Sequence, residues 1–422
     1  MSQMAFFPEQ HDSAALPEMS RAAGLEHLES FVERAGGAYS SGRNFDRGEG
    51  QHYSVSRLSG HLRRRLITEE EVLAAVLKRH SFAKAEKFIT EIFWRTYFKG
   101  WMEMRPSVWD EAEQAGHQAL ASDNPGLAAA CEGRTGIACF DSWTEELVKT
   151  GYLHNHSRMW YASIWIFTLG LDWRAGAQFF IRHLRDGCPA SNTLGWRWVA
   201  GLHTIGKNYV ARADNIHQFT DGRFYPDGQL NERATALSGM PVPPPQMPFW
   251  DQPDFSQPYG LMMTSEDGHA ESLPLSRPPK LIISLPAEMG DRNWDHPSGG
   301  VRHPKVVALD SAAISDSAER AATYFGCPVI DLSDCVSQQD IISQLSTHAS
   351  AHGLDGVMTG YAATGYWQYH LQAIKKQLAS DGLSMDFITR PYDRACYPAA
   401  KKGFFPFKQN IPEWLASFGL TS

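Results

Sequence analysis

The sequence lacks the features that mark several common classes of protein. It has no run of 18 apolar residues, so no membrane-spanning helix is expected. Its first residues do not combine a basic segment with an apolar one, so no signal peptide is predicted. Its six cysteines form no C-x-x-C pair, and no Cys/His spacing indicates a zinc or iron–sulfur site. We therefore expect a cytoplasmic protein with reduced thiols, no metal and no membrane partner.

Positive charge is scarce as well. The chain has 39 Lys and Arg residues against 47 Asp and Glu residues, which gives a formal net charge of −8. A dedicated nucleic-acid binder is usually basic, so this balance argues mildly against tight non-specific binding to DNA. It is still compatible with a local basic groove.

What the sequence does contain is an ordinary globular composition with many tryptophans. Hydrophobic residues make up 43% of the 422 residues, and this length predicts two or three domains. There are 13 Trp residues. Core packing accounts for many Trp, but this number favours a search for stacking or redox roles.

Residues 60–202 have mainly the composition of helices. Ser142 begins a capping box, Gly151 ends the same helix, and Asp172 is a candidate N-cap. The predicted helices are Glu69–His80, Lys84–Met104, a short one between Ser142 and Gly151, Ser157–Gly170 and Trp173–Leu184.

The amino-acid composition of the chain changes after residue 235. Residues 236–278 contain the run PVPPPQMP and predict a linker or a wrapping loop. Beyond them, short apolar runs alternate with helical stretches, which favours a mostly parallel α/β sheet in residues 279–422 after a helical domain in residues 1–235. The predicted strands are 280–284, 305–309, 328–332, 356–360 and 386–390, and the predicted helices are 316–325, 338–350 and 367–379.

A first candidate for chemistry lies on the predicted helix Lys84–Met104. Glu91, Trp94, Phe98 and Trp101 fall near one helix face by steps of three and four residues. A carboxylate beside Trp on that face is unusual for a plain core. The alternative, that Glu91 is solvated at the edge of the stripe and Trp94 fills the core, remains open.

Two polar segments follow. His154 and His156 form a His-x-His pair, but no carboxylate or third His lies at ligand spacing, so no metal is predicted. Residues 185–198 begin with turn formers and end in two Trp. Such a loop between helices often carries a site, and the alternative is a helix connection whose Trp side chains fill the core.

The order and spacing of these motifs resemble the FAD-binding domain of the photolyase/cryptochrome family. The resemblance extends from about Tyr39 to Trp198, and the motifs that carry it are 54–59, 91–95, 133–136, 150–159, 172–176 and 186–198. It implies a multidomain protein, with an all-α FAD-binding photolyase-like domain followed by an α/β Rossmann-like domain. The latter weakly resembles the antenna domain, which family members usually place first.

The resemblance implies FAD as the cofactor and assigns residues to it. Ser56, Arg57, Leu58 and Ser59 would cradle the diphosphate, as hydroxyls, backbone N–H groups and one cation can do. Arg158 and Asp186 would form the ion pair beside the isoalloxazine ring. Asn192 would face flavin N5, which in this family accompanies a fully reduced working flavin. The remaining implied cofactor contacts are Tyr39, Arg95, Asn155 and Cys188, the last of which replaces an acidic residue.

The resemblance also implies a substrate cavity and an electron relay. The cavity for a flipped pyrimidine dimer would be lined by Glu91, Trp94, Asn155, Met159 and Trp198, with the dimer stacked on Trp. Trp196 and Trp173 match the proximal and middle members of a Trp electron relay, whereas the distal position is Ala130. Trp160 and Trp165 are possible substitutes for the distal member, but only because the chain has many Trp residues.

The implied activity is a lyase that uses blue light to repair cyclobutane pyrimidine dimers in DNA by electron transfer from reduced FAD. The alternative is a cryptochrome-like photoreceptor without repair, and a flavoprotein of other redox chemistry is a third interpretation. Damaged DNA would be the partner of a monomeric enzyme. An unidentified antenna chromophore is compatible with the α/β half.

Overall fold

The computed structural model describes residues 18–239, 241–291 and 302–420. The signal-peptide prediction concerns a segment that lies almost entirely outside these residues. Residues 18–230 are mainly helical, with a π-helical turn at Ile164–Thr168 directly after α9. The helices are α1 (Arg21–Val32), α2 (Gly37–Gly42), α3 (Ser59–Arg63), α4 (Glu69–Arg79), α5 (Phe82–Glu103), α6 (Pro106–Leu120), α7 (Pro125–Cys131), α8 (Ala138–Thr150), α9 (Asn155–Ser163), α10 (Trp173–His183), α11 (Pro189–Val199) and α12 (Ala213–Phe219).

Local capping interactions define several helix ends. The Asp172 side chain accepts a hydrogen bond from the backbone N–H of Arg174 and caps α10, as predicted. Gly151 ends α8 in the left-handed conformation, with φ of 68°. The capping box predicted at Ser142 is wrong, because α8 already begins at Ala138 and Ser142 lies inside it. The segment 185–198 is a loop only as far as Cys188, since Pro189 starts α11.

The second half contains a five-stranded parallel sheet in the order β3-β2-β1-β4-β5. This order is typical of doubly wound sheets, with the order reversal between β1 and β4. The strands are β1 (Tyr259–Met263), β2 (Leu281–Ser284), β3 (Val329–Asp331), β4 (Gly356–Gly360) and β5 (Ser384–Ile388), and the helices between them are α13 (Pro304–Phe325), α14 (Gln338–His352) and α15 (Tyr366–Ser380).

Two predictions for this half need correction. The segment 236–278, predicted as a linker, contains the central strand β1, so the sheet begins before residue 279. The run 305–309 is helical rather than extended, because Val306, Leu309 and Ala313 form the buried face of α13.

Residues 391–420 return to the helical half. They form α16 (Pro391–Cys396), α17 (Phe404–Lys408) and α18 (Ile411–Ser417) and pack on α5. Phe407 and Trp414 are buried with Phe93 in the same core. The domain predicted at 279–422 is therefore not purely an α/β unit, because its end completes the helical core.

Three consecutive arginines, the last residue of α3 and the two that follow it, join the two halves. Arg63 pairs with Glu266, which follows β1, at 2.7 Å, and Arg64 donates to Asp310 of α13 at 2.6 Å. Arg65 donates to both carboxylate oxygens of Asp393 at 2.6 and 2.8 Å. These side chains are all at least nine-tenths buried, so each charge depends on its partner. No helix among the described residues is long and apolar enough to cross a membrane.

Candidate FAD site

The predicted diphosphate segment, Ser56–Ser59, lies at the start of α3 among cationic side chains. Arg57 has a left-handed backbone, with φ of 53°, and Leu58 beside it is fully buried. Arg95 of α5 donates a hydrogen bond to the carbonyl oxygen of Ser59 at 3.3 Å. The structure thus brings Arg95 to the segment where the sequence predicted it.

The positive charge at this segment contributes to the low pKa of His27 in α1. Burial first, and then the nearby charges of Arg57, Arg185 and Arg34, lower the pKa of His27 to about 4. Sequence reasoning selected only Arg57 from this group. A cluster of positively charged side chains at the start of a helix is suited to binding a diphosphate.

Arg158 and Asp186 form the predicted ion pair. Nη2 of Arg158 donates to Oδ2 of Asp186 at 3.1 Å, and the Asp186 carboxylate is almost fully buried. Burial opposes its ionisation, but Arg158 and the Ser59 hydroxyl outweigh that effect and lower the pKa of Asp186 to about 2. Asp186 therefore stays negatively charged beside the cationic segment.

Cys188 is the N-cap residue of α11 and is buried. Burial raises the pKa of a thiol, but Arg95, Lys99 and Arg63 outweigh it here and lower the pKa of Cys188 below its ordinary value. The surrounding cations thus favour the thiolate form at the position where the resemblance expects an acidic residue. Lys99 follows Arg95 by one helical turn, so spacing on α5 could have revealed it from the sequence.

Asn192 lies one turn into α11 and is half-buried. Its Nδ2 donates to the carbonyl oxygen of Ala177 on α10 at 2.8 Å. The amide nitrogen is therefore engaged with the protein, and Oδ1 is left as an acceptor. An acceptor at this position is what a protonated ring nitrogen would need.

Arg43 lies close to both Tyr39 and Glu91. Sequence reasoning did not select Arg43. Nη1 of Arg43 donates to Oε1 of Glu91 at 2.6 Å, and the Tyr39 ring packs edge-on against Phe88 one turn earlier on α5. Partial burial raises the pKa of Glu91, and Arg43 opposes that rise. Glu91 is thus a paired carboxyl group at the edge of the core rather than a freely solvated one.

Trp94 and Trp198 each stack on another ring of the chain. The ring centroids of Trp94 and Phe404 of α17 are 3.6 Å apart at 10° between planes. Trp198 stacks on Tyr209 with 5.5 Å between centroids. Of the other predicted cavity residues, Asn155 is exposed in the first turn of α9 and Met159 is half-buried one turn later. Phe404 is far from Trp94 in sequence, so no local pattern could have predicted this stack.

Trp196 is buried among aromatic rings, and one of them is Trp165. Their centroids are 6.0 Å apart, and the bare Cα of Gly176 makes the approach possible because a Cβ there would overlap the Trp196 ring. Trp173, the predicted middle member of the relay, lies at the start of α10 beneath the guanidinium of Arg197 at 5.8 Å. Ala130 is fully buried in α7.

A buried group that sequence reasoning missed lies beside this region. Asp46, His52 and Glu146 bring possible metal-ligand atoms within 4.8 Å of one another. However, the Asp46 carboxylate accepts hydrogen bonds from Gly48, Trp143 and Ser157 and forms an ion pair with Arg223 at 3.2 Å. The geometry is that of a structural hydrogen-bond network.

Comparison with known proteins identifies the helical region. Residues 88–230 match the family model of the FAD binding domain of DNA photolyase. These residues are therefore similar to the FAD-binding domain of the photolyase/cryptochrome family. FAD is therefore the cofactor of this domain.

Relatives of the domain include photolyases from several bacteria. The deoxyribodipyrimidine photo-lyase of Vibrio cholerae is 27% identical over 245 residues, or 55% of this chain and 51% of that protein. The one of Escherichia coli is 30% identical over 210 residues, or 47% of this chain and 42% of that protein. The chain thus spans about half the length of the curated relatives it matches.

Solved structures similar to this chain include a photolyase and a cryptochrome. A bacterial class III photolyase from Agrobacterium tumefaciens has a TM-score of 0.42 and 28% identity, covering 48% of this chain and 43% of that one. A cryptochrome from Synechocystis has a TM-score of 0.41 and 23% identity, covering 52% and 46%.

The residues of the photolyase-type domain fit FAD on two observations. Oδ1 of Asp186 and Oγ of Ser191 are buried and, within the described ranges, hydrogen-bond to no other protein group. Such atoms are costly unless a ligand or a water molecule satisfies them. The cationic segment at Arg57 supplies the complementary charge for a diphosphate. Ser56–Ser59, Arg158 and Asp186 would hold the cofactor, with Asn192 as the acceptor.

Proposed function

We propose that the chain is a lyase that uses blue light and FAD to repair cyclobutane pyrimidine dimers in DNA. When bound and fully reduced, FAD would supply a light-excitable one-electron donor, and the return of the electron after the two cyclobutane bonds break would leave no net oxidation. Damaged DNA is the partner that this proposal requires.

The observation that carries the proposal is the partial exposure of the predicted cavity residues. Glu91, Trp94, Met159 and Trp198 are half-buried although they lie on helices α5, α9 and α11, of which α5 and α9 both pack on α11. Partly open aromatic rings beside a carboxyl group are suited to an extruded pyrimidine. The Glu91 carboxyl group, paired with Arg43 at 2.6 Å, offers hydrogen-bond acceptors for a thymine edge.

Side chains of this chain would control the charge around the cofactor. Arg158 holds Asp186 as an anion, and Arg95 and Lys99 lower the pKa of the Cys188 thiol, so the charge of Asp186 is fixed before any electron moves. Such preorganised charge costs no rearrangement during the reaction.

The test is light-dependent loss of dimers from a thymine-dimer oligonucleotide. The protein is purified, loaded with FAD and chemically reduced, and the intact oligonucleotide is quantified after illumination and after an equal time in the dark. The proposal expects dimer loss only in the light. A yellow, photoreducible protein that leaves the dimers intact would contradict it.

One observation favours the second candidate, a blue-light photoreceptor without repair. Phe404 covers one face of Trp94, which reduces the aromatic surface available to a base. The net charge of −8 also gives little general attraction for DNA. The same repair assay separates the two candidates.

We also propose that the α/β half is an antenna-type domain. It would follow the helical domain rather than precede it. A cavity of about 330 Å³ lies between the halves and is lined by Glu103 and Pro106 at the end of α5 and by Tyr361, Gln368 and Phe387 on the sheet side. Its volume is at the lower end of the range for small-molecule sites. Extraction of a second chromophore from the purified protein would support this assignment, and FAD as the sole pigment would contradict it.

A further inference from the structure

The C-terminal segment Lys401–Lys408 lies directly on the helix that carries Trp94. Arg105 donates to the carbonyl oxygen of Lys401 at 2.8 Å, and the Tyr97 hydroxyl donates to that of Lys402 at 2.9 Å. At the other end of the segment, Lys408 pairs with Glu86 of α5 at 2.7 Å. These three contacts fix the segment over one face of α5.

Between these contacts, two neighbouring phenylalanines differ sharply in their environment. Phe404 is 7% exposed and lies parallel to the Trp94 ring, whereas Phe405 is 83% exposed. The 3.6 Å between the Trp94 and Phe404 centroids is the separation of two rings in full face contact. One face of Trp94 is therefore occupied by a ring of this chain.

We propose that Phe404 is a specificity-determining residue that occupies the stacking position of a pyrimidine on Trp94. This inference rests on the proposed function, because that proposal gives Trp94 its role as a base-stacking residue. A base that stacks on this face must displace Phe404, and the energies of the two stacks are of the same kind. The site therefore selects for ligands that bind strongly enough to move the segment.

The charge of the segment indicates which ligand would move it. Lys401 and Lys402 are exposed, and residues 401–408 contain three Lys and no acidic residue, in a chain of net charge −8. The phosphates of a DNA strand would attract these lysines at the same time as a base competes with Phe404. A free nucleobase lacks that second interaction and would leave the stack in place.

The experiment compares F404A with F405A, which changes the neighbouring exposed ring as a matched control. Affinity for a fluorescent oligonucleotide with one thymine dimer, and for its undamaged counterpart, is measured in the dark at fixed salt on FAD-loaded protein. F404A is expected to bind the damaged strand about 5- to 150-fold more tightly, the range that corresponds to one base stack. F405A is expected to match the wild type, and W94A added to F404A is expected to abolish the gain.

The outcomes separate this inference from the proposed function. Unchanged or weaker binding by F404A with full FAD content overturns the role of Phe404, even if the wild type repairs dimers in the light. A gain in F404A without light-driven repair by any variant supports the role of Phe404 and overturns repair. If F404A loses FAD, F404L replaces it in the experiment, because Leu keeps an apolar side chain without the flat ring. No increase in the affinity of F404L for the damaged strand would then overturn the inference.

Discussion

Arg158 and Asp186 join the first turn of α9 to the loop before α11 through one hydrogen bond of 3.1 Å. The pair lies beside Ser59 and Arg95, so one carboxylate connects three segments of the FAD site. Its removal should affect both the cofactor and the fold.

Asp186→Asn is expected to weaken FAD binding at least tenfold and to lower the free energy of unfolding by about 1–3 kcal/mol, because Arg158 loses a charged partner. FAD fluorescence titration and urea unfolding would measure these effects. Glu49→Gln removes an exposed pair with Lys149 and should change neither quantity measurably. Equal effects in the two variants would show that Asp186 has no special role.

Cys188→Asp is expected to retain FAD, whereas Cys188→Ala is expected to weaken its binding several-fold. The reason is that Arg95 and Lys99 stabilise an anion at this position. Cys139 is the control, because it is equally buried and its pKa is raised to about 12 by burial without nearby cations. If Cys139→Ala and Cys188→Ala bind FAD equally well, the charge of Cys188 is irrelevant to the site.

Trp196→Phe and Trp165→Phe are each expected to slow photoreduction of the flavin, because their rings are in direct contact. Transient absorption on the FAD-loaded protein would record the rates. Trp109→Phe changes a buried Trp in a different core cluster and should leave the kinetics unaltered. Normal kinetics in Trp165→Phe together with slow kinetics in Trp173→Phe would favour the relay implied by the family resemblance instead.

Gly176→Ala is expected to destabilise the protein by about 1–3 kcal/mol, because the added Cβ would overlap the Trp196 ring and approach Cε2 of Trp165 to 3.0 Å. Gly195→Ala is the matched control, since a Cβ at Gly195 meets no atom within 4 Å. It should stabilise α11 by up to about 1 kcal/mol through helix propensity. Urea unfolding would test whether the two changes have opposite signs.

Stability is expected to fall in two stages as the pH decreases. Burial is the main reason that the pKa of His154 is lowered to about 3 and that of His27 to about 4. Between about pH 6.5 and pH 4, these histidines therefore take up protons mainly in the unfolded chain. This uptake stabilises the unfolded chain, so the free energy of unfolding decreases. Asp186 and Glu71, with folded pKa values of about 2, contribute stability above pH 4 that is lost toward pH 2. Urea unfolding at pH 7, 5.5 and 4 would detect the first stage.

The variant His154→Asn tests the first stage directly. Asn keeps an acceptor for the N-terminal turn of α9, which His154 caps through Nδ1, but it does not titrate. Its stability should depend less on pH than that of the wild type. An identical slope in both proteins would exclude His154 as a source of the effect.

Much of the helical half could be predicted from local signals. The Asp172 cap and the Gly151 terminus are short-range effects, and the observed helices α4, α5 and α10 closely match their predicted ranges. Strand β1 was missed because its five residues follow a Pro-rich segment that resembles a linker. The run 305–309 was misassigned because two β-branched residues dominate a short window, whereas burial along 22 residues determines α13.

The cofactor side of the site could be predicted more fully than the substrate side. Ser59, Arg95, Arg158 and Asp186 lie in motifs whose order carries the family resemblance, and the structure brings them together. Arg43, Trp165 and Phe404 lie outside those motifs, and each reaches its partner through tertiary packing. Phe404 is about 300 residues from Trp94, a separation at which periodicity gives no information.

The three arginines at and after the end of α3 also bear on how the molecule can be divided. Their partners Glu266, Asp310 and Asp393 all lie beyond residue 235, so a fragment ending there would keep only Glu69 as a partner for Arg65. We therefore expect that the helical half does not fold on its own. The protein should melt in a single cooperative transition, with its photochemical half and its sheet lost together.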